Sequence, residues 1–193
     1  MALVSMERAG IVRDIVTQNV DRLHTKAGSA RVTELHGALA DTFCLRCGAA
    51  EDRDRLQERL LAANPDVDAA ASLAPDGDAD LPEDASARFT IVPCEACGGI
   101  LKPKGVFFGD NVPKAVVEQA FAAVDAADLL LVVGSSLAVF SGYRFLRRAV
   151  ERKIPIVIAN RGPVRGEEHA TLKIEASTGE TLSLLATPLV PTP

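Results

Sequence analysis

The chain has 193 residues, 48% of them hydrophobic and 24% charged, with a net charge of −5. This is the composition of a globular protein of one domain, or of one domain with a small insert. The negative balance argues against nucleic acid as the main partner, and a chain with no Trp and one Tyr offers little base stacking. No apolar run is long enough to span a membrane, and the first residues lack the basic and apolar regions of a signal peptide. The expected location is therefore the cytoplasm, with neither nucleic acid nor a membrane as partner.

In chain order, Leu3 to Gly10 reads as the end of a helix, so the chain is expected to begin inside an element, as a fragment would. Ile11 to Val16 reads as a buried strand. Gln18, Asn19 and Asp21 follow where that strand should end. Ligands of open α/β sheets sit at the carboxyl ends of strands, so three polar side chains there read as the grip on a polar ligand. Glu34-Leu35-His36-Gly37 comes next. A lone histidine is usually superficial or structural, and His24 and His169 are assigned to that class. His36 stands beside Gly37 and close to the polar strand end, and reads as a general base near neutral pH.

All four cysteines fall in two Cys-x-x-Cys pairs, Cys44/Cys47 and Cys94/Cys97, each followed by glycine (Gly48, Gly98). Two thiolates on a tight turn, met by two more, are the ligands of a structural zinc ion, and four thiolates leave no open position for catalysis. Disulfides are the poorer explanation in a chain without a signal peptide. Acidic neighbours (Glu51, Asp52, Asp54, Glu95) weaken a nucleic-acid role for this ribbon. The site instead pins an insert too small to build its own core. Within the insert, Arg53 to Ala63 reads as a surface helix, and Asn64 to Ala87, rich in Ala, Asp and Pro, as a loop.

The segment Leu101 to Asp110 reads as extended and apolar, either a core strand returning from the insert or an edge that pairs with a peptide. A helix is expected from Pro113 to about Ala126, with the proline in its first turn. Leu129–Val133, Ile154–Ala159 and Thr171–Ile174 are short apolar runs bounded by turn residues, the pattern of parallel strands buried on both faces. Between the first two, Ser141 to Lys153 has an apolar face (Phe145, Leu146, Ala149, Val150) against Arg144, Arg147, Arg148 and Arg152. A last helix starts near Thr178 and carries Leu182, Leu184 and Leu185, and the tail from Pro188 is expected to fray. Alternating strands and helices imply an α/β fold with a doubly wound parallel sheet. Gly134 lets a backbone approach a ligand, and Ser135 and Ser136 offer hydroxyls and N–H groups to ribose or phosphate. Asn160-Arg161-Gly162 repeats the design one strand later, although Asn-x-Gly is also an ordinary turn. No Gly-x-Gly-x-x-Gly fingerprint is present, and Ser135 and Ser136 lack a triad.

Taken in order, Thr-Gln-Asn-Val-Asp, Glu-Leu-His-Gly, both Cys pairs, Val-Phe-Phe-Gly-Asp, Gly-Ser-Ser-Leu and Asn-Arg-Gly resemble the sirtuins, NAD-dependent protein lysine deacylases, from about Met6 to Leu185. The run Ser141-Gly142-Tyr143-Arg144-Phe145 and the long insert containing Leu73 to Asp78 resemble the sirtuin 4-like class II branch and its bacterial relatives. The resemblance implies a discontinuous Rossmann-like NAD-binding lobe (1–40 and 106–187), a small zinc-binding lobe (41–105) and a tail (188–193), with NAD and acyl-lysine meeting between the lobes. It implies NAD contacts at Gln18, Asn19, Asp21, Gly134, Ser135, Ser136, Asn160, Arg161, Gly162 and Thr178. Val106, Phe107, Phe108 and Gly109 would clamp substrate backbone. Asn19 and Asp21 would place the nicotinamide ribose, and His36 would take a proton from a ribose hydroxyl. Nicotinamide would leave and the acyl group of an acylated lysine would pass to ADP-ribose. The family's opening segment, with a first strand, a Gly-Ala-Gly turn and an Asp-Phe-Arg loop, has no counterpart here. Weak NAD affinity, poor solubility and little catalysis are expected of the chain alone. A mono-ADP-ribosyltransferase and a non-catalytic zinc-bearing module are the alternatives.

Overall fold

The computed structural model describes residues 1–66, 72–73, 79–80 and 87–189. The chain divides into two compact units, Met1–Gly37 with Gly105–Pro193, and Ala38–Lys104.

The first unit opens with helix α1 (Ala2–Arg8), which buries Val4 and Met6. Strand β1 covers only Ile15–Thr17, so the expectation of a strand from Ile11 is corrected. Gly10 takes a positive φ of 74°, and the N–H groups of Ile11 and Val12 both donate to the Met6 carbonyl. These residues finish the helix, and Ile11 is left exposed. After the four-residue helix α2 (Leu23–Lys26), strand β2 (Val32–Glu34) pairs with β1 in parallel, Thr17 opposite Glu34.

The later half of this unit alternates strand and helix. Helix α4 (Lys114–Asp125) starts one residue after Pro113, which caps it and accepts from the N–H groups of Val116 and Val117. Then come β8 (Leu130–Val133), α5 (Phe140–Arg152), β9 (Ile156–Ala159), a 3-10 turn (Glu167–His169), β10 (Leu172–Ile174) and α6 (Thr178–Leu189). Strands β8, β9 and β10 form a parallel sheet with β9 in the middle. The parallel strands thus form two groups, β1–β2 and β8–β9–β10. β-Branched and Leu side chains on buried parallel strands supply the core. Val132, Ile156 and Ile158 pack with Ala120 and Val124 of α4 and with Phe145, Leu146 and Ala149 of α5. The rings of Phe121 and Phe145 meet edge to face at 5.0 Å. The arginines of α5 fasten it to the end of α4: Arg148 grips Asp125 with two bonds of 2.7 and 3.0 Å, and Arg152 donates to the carbonyls of Val124 and Ala127. In α6, Leu182 is buried as the pattern requires, but Leu184 lies on the exposed side.

The second unit is built on a three-stranded sheet with β3 (Gly37–Cys44) between β4 (Ala50–Asp52) and β7 (Leu101–Gly105). Pro103 lies in β7, an edge strand, where a missing N–H does no harm. Helix α3 spans Arg53–Ala63, as its pattern requires, because Asp52 accepts from the N–H groups of Asp54 and Arg55 at its start. Arg59 pairs with Glu51 at 2.7 Å and donates to the Pro93 carbonyl. Asn64 closes the helix, donating its amide to the carbonyls of Leu60 and Thr90 and accepting from the Thr90 N–H. The segment Asn64–Ala87 was expected as loop alone, yet it contains a two-residue antiparallel ladder, β5 (Ser72–Leu73) with β6 (Ala79–Asp80). Positions 67–71, 74–78 and 81–86 of that segment and the tail from position 190 lie outside the described residues.

Candidate functional site

In the second unit the two cysteine turns are built alike. The Gly48 N–H donates to the Cys44 carbonyl at 2.9 Å, and the Gly98 N–H to the Cys94 carbonyl at 2.8 Å. Both glycines take a positive φ, 74° and 71°, the conformation that lets a chain reverse so tightly. The four sulfurs lie within 4.8 Å of one another, with Cys44 Sγ 3.5 Å from Cys97 Sγ and Cys47 Sγ 3.8 Å from Cys94 Sγ. A tetrahedron of thiolates around zinc at about 2.3 Å requires edges of about 3.8 Å, so the quartet is arranged to bind one zinc ion. The N–H groups of Cys47 and Arg46 favour the thiolate of Cys44 and draw its pKa down to about 6, whereas the sulfurs around Cys97 push its thiol up to about 12. One residue missed in the sequence completes the site. Gly99 leaves no room for a side chain, because a Cβ there would stand 2.7 Å from Cys44 Sγ.

In the first unit, the residues following β1, β2 and β8 carry a polar cluster. Gln18 follows β1, His36 follows β2, and Gly134 to Ser136 follow β8. Ser135 Oγ donates to Gln18 Oε1 at 3.3 Å, and Gln18 Nε2 donates to Ser141 Oγ at 3.4 Å. Ser141 Oγ lies 2.8 Å from His36 Nε2. Ser141 stands in the first turn of α5 and is buried; sequence reading missed its role, since only the fold brings it across 105 positions to His36. Gly134 takes a φ of 59°, and a Cβ on it would stand 3.0 Å from Thr178 Oγ1, so the turn after β8 abuts the start of α6. Leu137, a buried residue with φ 50°, marks backbone strain directly after the Gly-Ser-Ser turn.

The remaining expected residues make local bonds. Asp21 Oδ1 accepts from the Leu23 N–H, and the Asn19 N–H donates to Thr17 Oγ1. Both side chains are exposed. Asn160 is buried and donates its amide to the carbonyls of Arg161 and Gly162, while Glu175 accepts from the Gly162 N–H at 2.6 Å. That bond holds the Glu175 carboxyl below its ordinary pKa. Val106 donates its N–H to the His36 carbonyl at 2.9 Å. Beyond Val106 the expectation of an extended segment is corrected. Asp110 accepts from the Phe107 N–H and donates its own N–H to the Phe107 carbonyl, Gly109 takes a φ of 95°, and Phe108 is fully exposed at the tip of this turn.

A protein-family model described as the Sir2 family matches residues 1–141. The NAD-dependent protein deacetylase 1 of Mycobacterium avium (strain 104) is 50% identical over 198 residues, covering 100% of this chain and 70% of the relative. The mitochondrial NAD-dependent protein lipoamidase sirtuin-4 of Bos taurus is 51% identical over 185 residues, 95% of this chain and 59% of the relative. A solved structure of Sir2 with a p53 peptide and NAD+ superposes with a TM-score of 0.77 at 27% identity, over 95% of this chain and 66% of that one. The chain therefore spans about two thirds of the length of the relatives it matches. A strand-end cluster around one histidine and a four-cysteine zinc site, on a sequence half identical to such relatives, have one common source: the chain belongs to the Sir2 family.

Proposed function

We propose that this chain carries the chemistry of an NAD-dependent protein lysine deacylase, which cleaves NAD to nicotinamide and passes the acyl group of an acylated lysine to ADP-ribose. The observation that carries the reading is the cluster of Gln18, His36 and Ser135 after three strands of the parallel α/β unit, in a chain half identical to an NAD-dependent protein deacetylase along its whole length.

NAD, when bound, supplies the electrophilic ribose carbon that receives the acyl oxygen. His36 is the general base, a half-buried imidazole suited to take a proton from a sugar hydroxyl. Asn19 and Asp21 place the nicotinamide ribose. Gly134, Ser135, Ser136 and Thr178 bracket the nucleotide where the turn after β8 meets α6, and Asn160, Arg161 and Gly162 hold its far end, with Gln18 contributing from just after β1. Val106 to Gly109 clamp the peptide backbone. The polypeptide divides into an NAD-binding lobe and a zinc-pinned lobe, and it works in the cytoplasm, a reducing compartment that keeps the thiol quartet free for metal.

The test is mass spectrometry of the chain incubated with NAD and a panel of acyl-lysine peptides. O-acyl-ADP-ribose is the expected product, and His36→Ala is expected to lower its rate at least about a hundredfold with zinc content unchanged. ADP-ribose on protein without any need for acyl-lysine would overturn the reading in favour of a transferase.

A further inference from the structure

We propose that Ser141 is the positioning residue of His36, a role that rests on the reading of His36 as the base. The two are joined by the shortest bond in the cluster, 2.8 Å between Ser141 Oγ and His36 Nε2. A serine hydroxyl has one proton to give and two lone pairs to offer, so the short contact can run either way, and the base role of His36 selects the direction that leaves its other ring nitrogen free.

The other bonds of the cluster form a directed chain. The Leu137 N–H donates to Ser135 Oγ at 3.2 Å, and Ser135 Oγ donates to Gln18 Oε1 at 3.3 Å. The Gln18 amide has its oxygen toward Ser135 and its nitrogen toward Ser141, to which it donates. The Ser141 oxygen accepts that bond with one lone pair and offers the other to the Nε2–H of His36 along the short contact. Nε2 then carries the ring proton, Nδ1 keeps its lone pair for a sugar hydroxyl, and the imidazole is held in one tautomer and one rotation. A base needs both, since the wrong tautomer presents a proton where a lone pair is required.

The backbone holds the device together. Ser141 lies in the first turn of α5 and is only 8% exposed, and the next residue, Gly142, lets Gln18 come so close that a Cβ there would stand 2.8 Å from Gln18 Oε1. The start of α5 is thereby pressed onto Gln18, and no water is needed to bridge the links.

The experiment records the ring nitrogen-15 shifts of His36 in the full chain, with His36→Ala to assign its signals among the three histidines, for wild type, Ser141→Ala and Ser141→Thr. The expected wild-type spectrum shows one tautomer protonated at Nε2, with Nδ1 free. Ser141→Ala should move both ring nitrogens toward the average of two tautomers, and Ser141→Thr, which keeps the hydroxyl, should restore them. In NAD-dependent deacylation, Ser141→Ala should lower kcat about fivefold with KM for the acyl-peptide unchanged, again restored by threonine. Ring shifts that stay at wild-type values in Ser141→Ala overturn the proposal, whatever the rate does. Ring shifts that move in a chain without deacylase activity leave Ser141 as the partner that sets His36 and overturn the functional reading instead.

Discussion

Gly99 sits so close to Cys44 that any side chain on it would displace the sulfur, with a Cβ–Sγ separation of 2.7 Å against real contacts that start above 3.0 Å. Arg46 Cβ, at 2.8 Å, closes the other side. Gly98, its neighbour, has open space around the corresponding point but a φ of 71°.

The two glycines therefore separate metal geometry from backbone strain. Gly99→Ala should weaken zinc binding by about tenfold or more, read as lost zinc in a chelator competition. Gly98→Ala should keep the metal and lower stability by about 1 kcal/mol. Equal zinc affinity in both variants would show that the space at Gly99 does not matter.

A second expectation concerns acid. Arg148 donates two bonds to Asp125 and holds its carboxyl below the ordinary aspartate value. A carboxylate with a depressed pKa in the folded state contributes stability above its unfolded pKa, and that contribution is lost as pH falls through the folded value. Asp125→Asn should therefore melt below wild type at neutral pH, and the two melting curves should converge on the acid side. A gap that persists unchanged into strong acid would assign the effect to packing instead.

The end of α5 offers a gain. Lys153 closes the helix at φ 58°, ψ 30°, in the left-handed region, with its N–H on the Val150 carbonyl. A side chain there costs about 1 kcal/mol, part of which glycine returns through its larger unfolded-state entropy. Lys153→Gly should raise the melting temperature by about 2 °C. A fall in Tm would mean that the lysine side chain contributes more than its backbone costs.

Periodicity and spacing were enough to read the parts whose causes are local. The cysteine quartet follows from spacing alone, α3 is legible as a surface helix, and β8, β9 and β10 follow from short apolar runs between turn residues. Ile11 and Val12 misled because their composition suits a strand, while their N–H groups are bound by the Met6 carbonyl one turn earlier. Phe107 and Phe108 misled in the same way, since the Asp110 carboxylate turns the chain back. Leu184 shows that an apolar residue in the middle of a helix is not necessarily inside. Ser141 and Gly99 carry no signal in a linear reading, because a hydroxyl in a helix and a second glycine in a turn acquire meaning only from what the fold brings beside them.

The second unit buries few apolar side chains among its described residues: Ala38, Leu56 and Val92 beside Cys44 and Cys94. The first has the continuous core from Leu35 to Val164. One is organised by a bound ion and the other by excluded water, so the two respond to different variables. Denaturation should then proceed in two steps, the earlier one tracking free zinc and the later one indifferent to it. A single unfolding free energy is not a defined quantity for such a chain; its stability is a function of metal activity as much as of temperature.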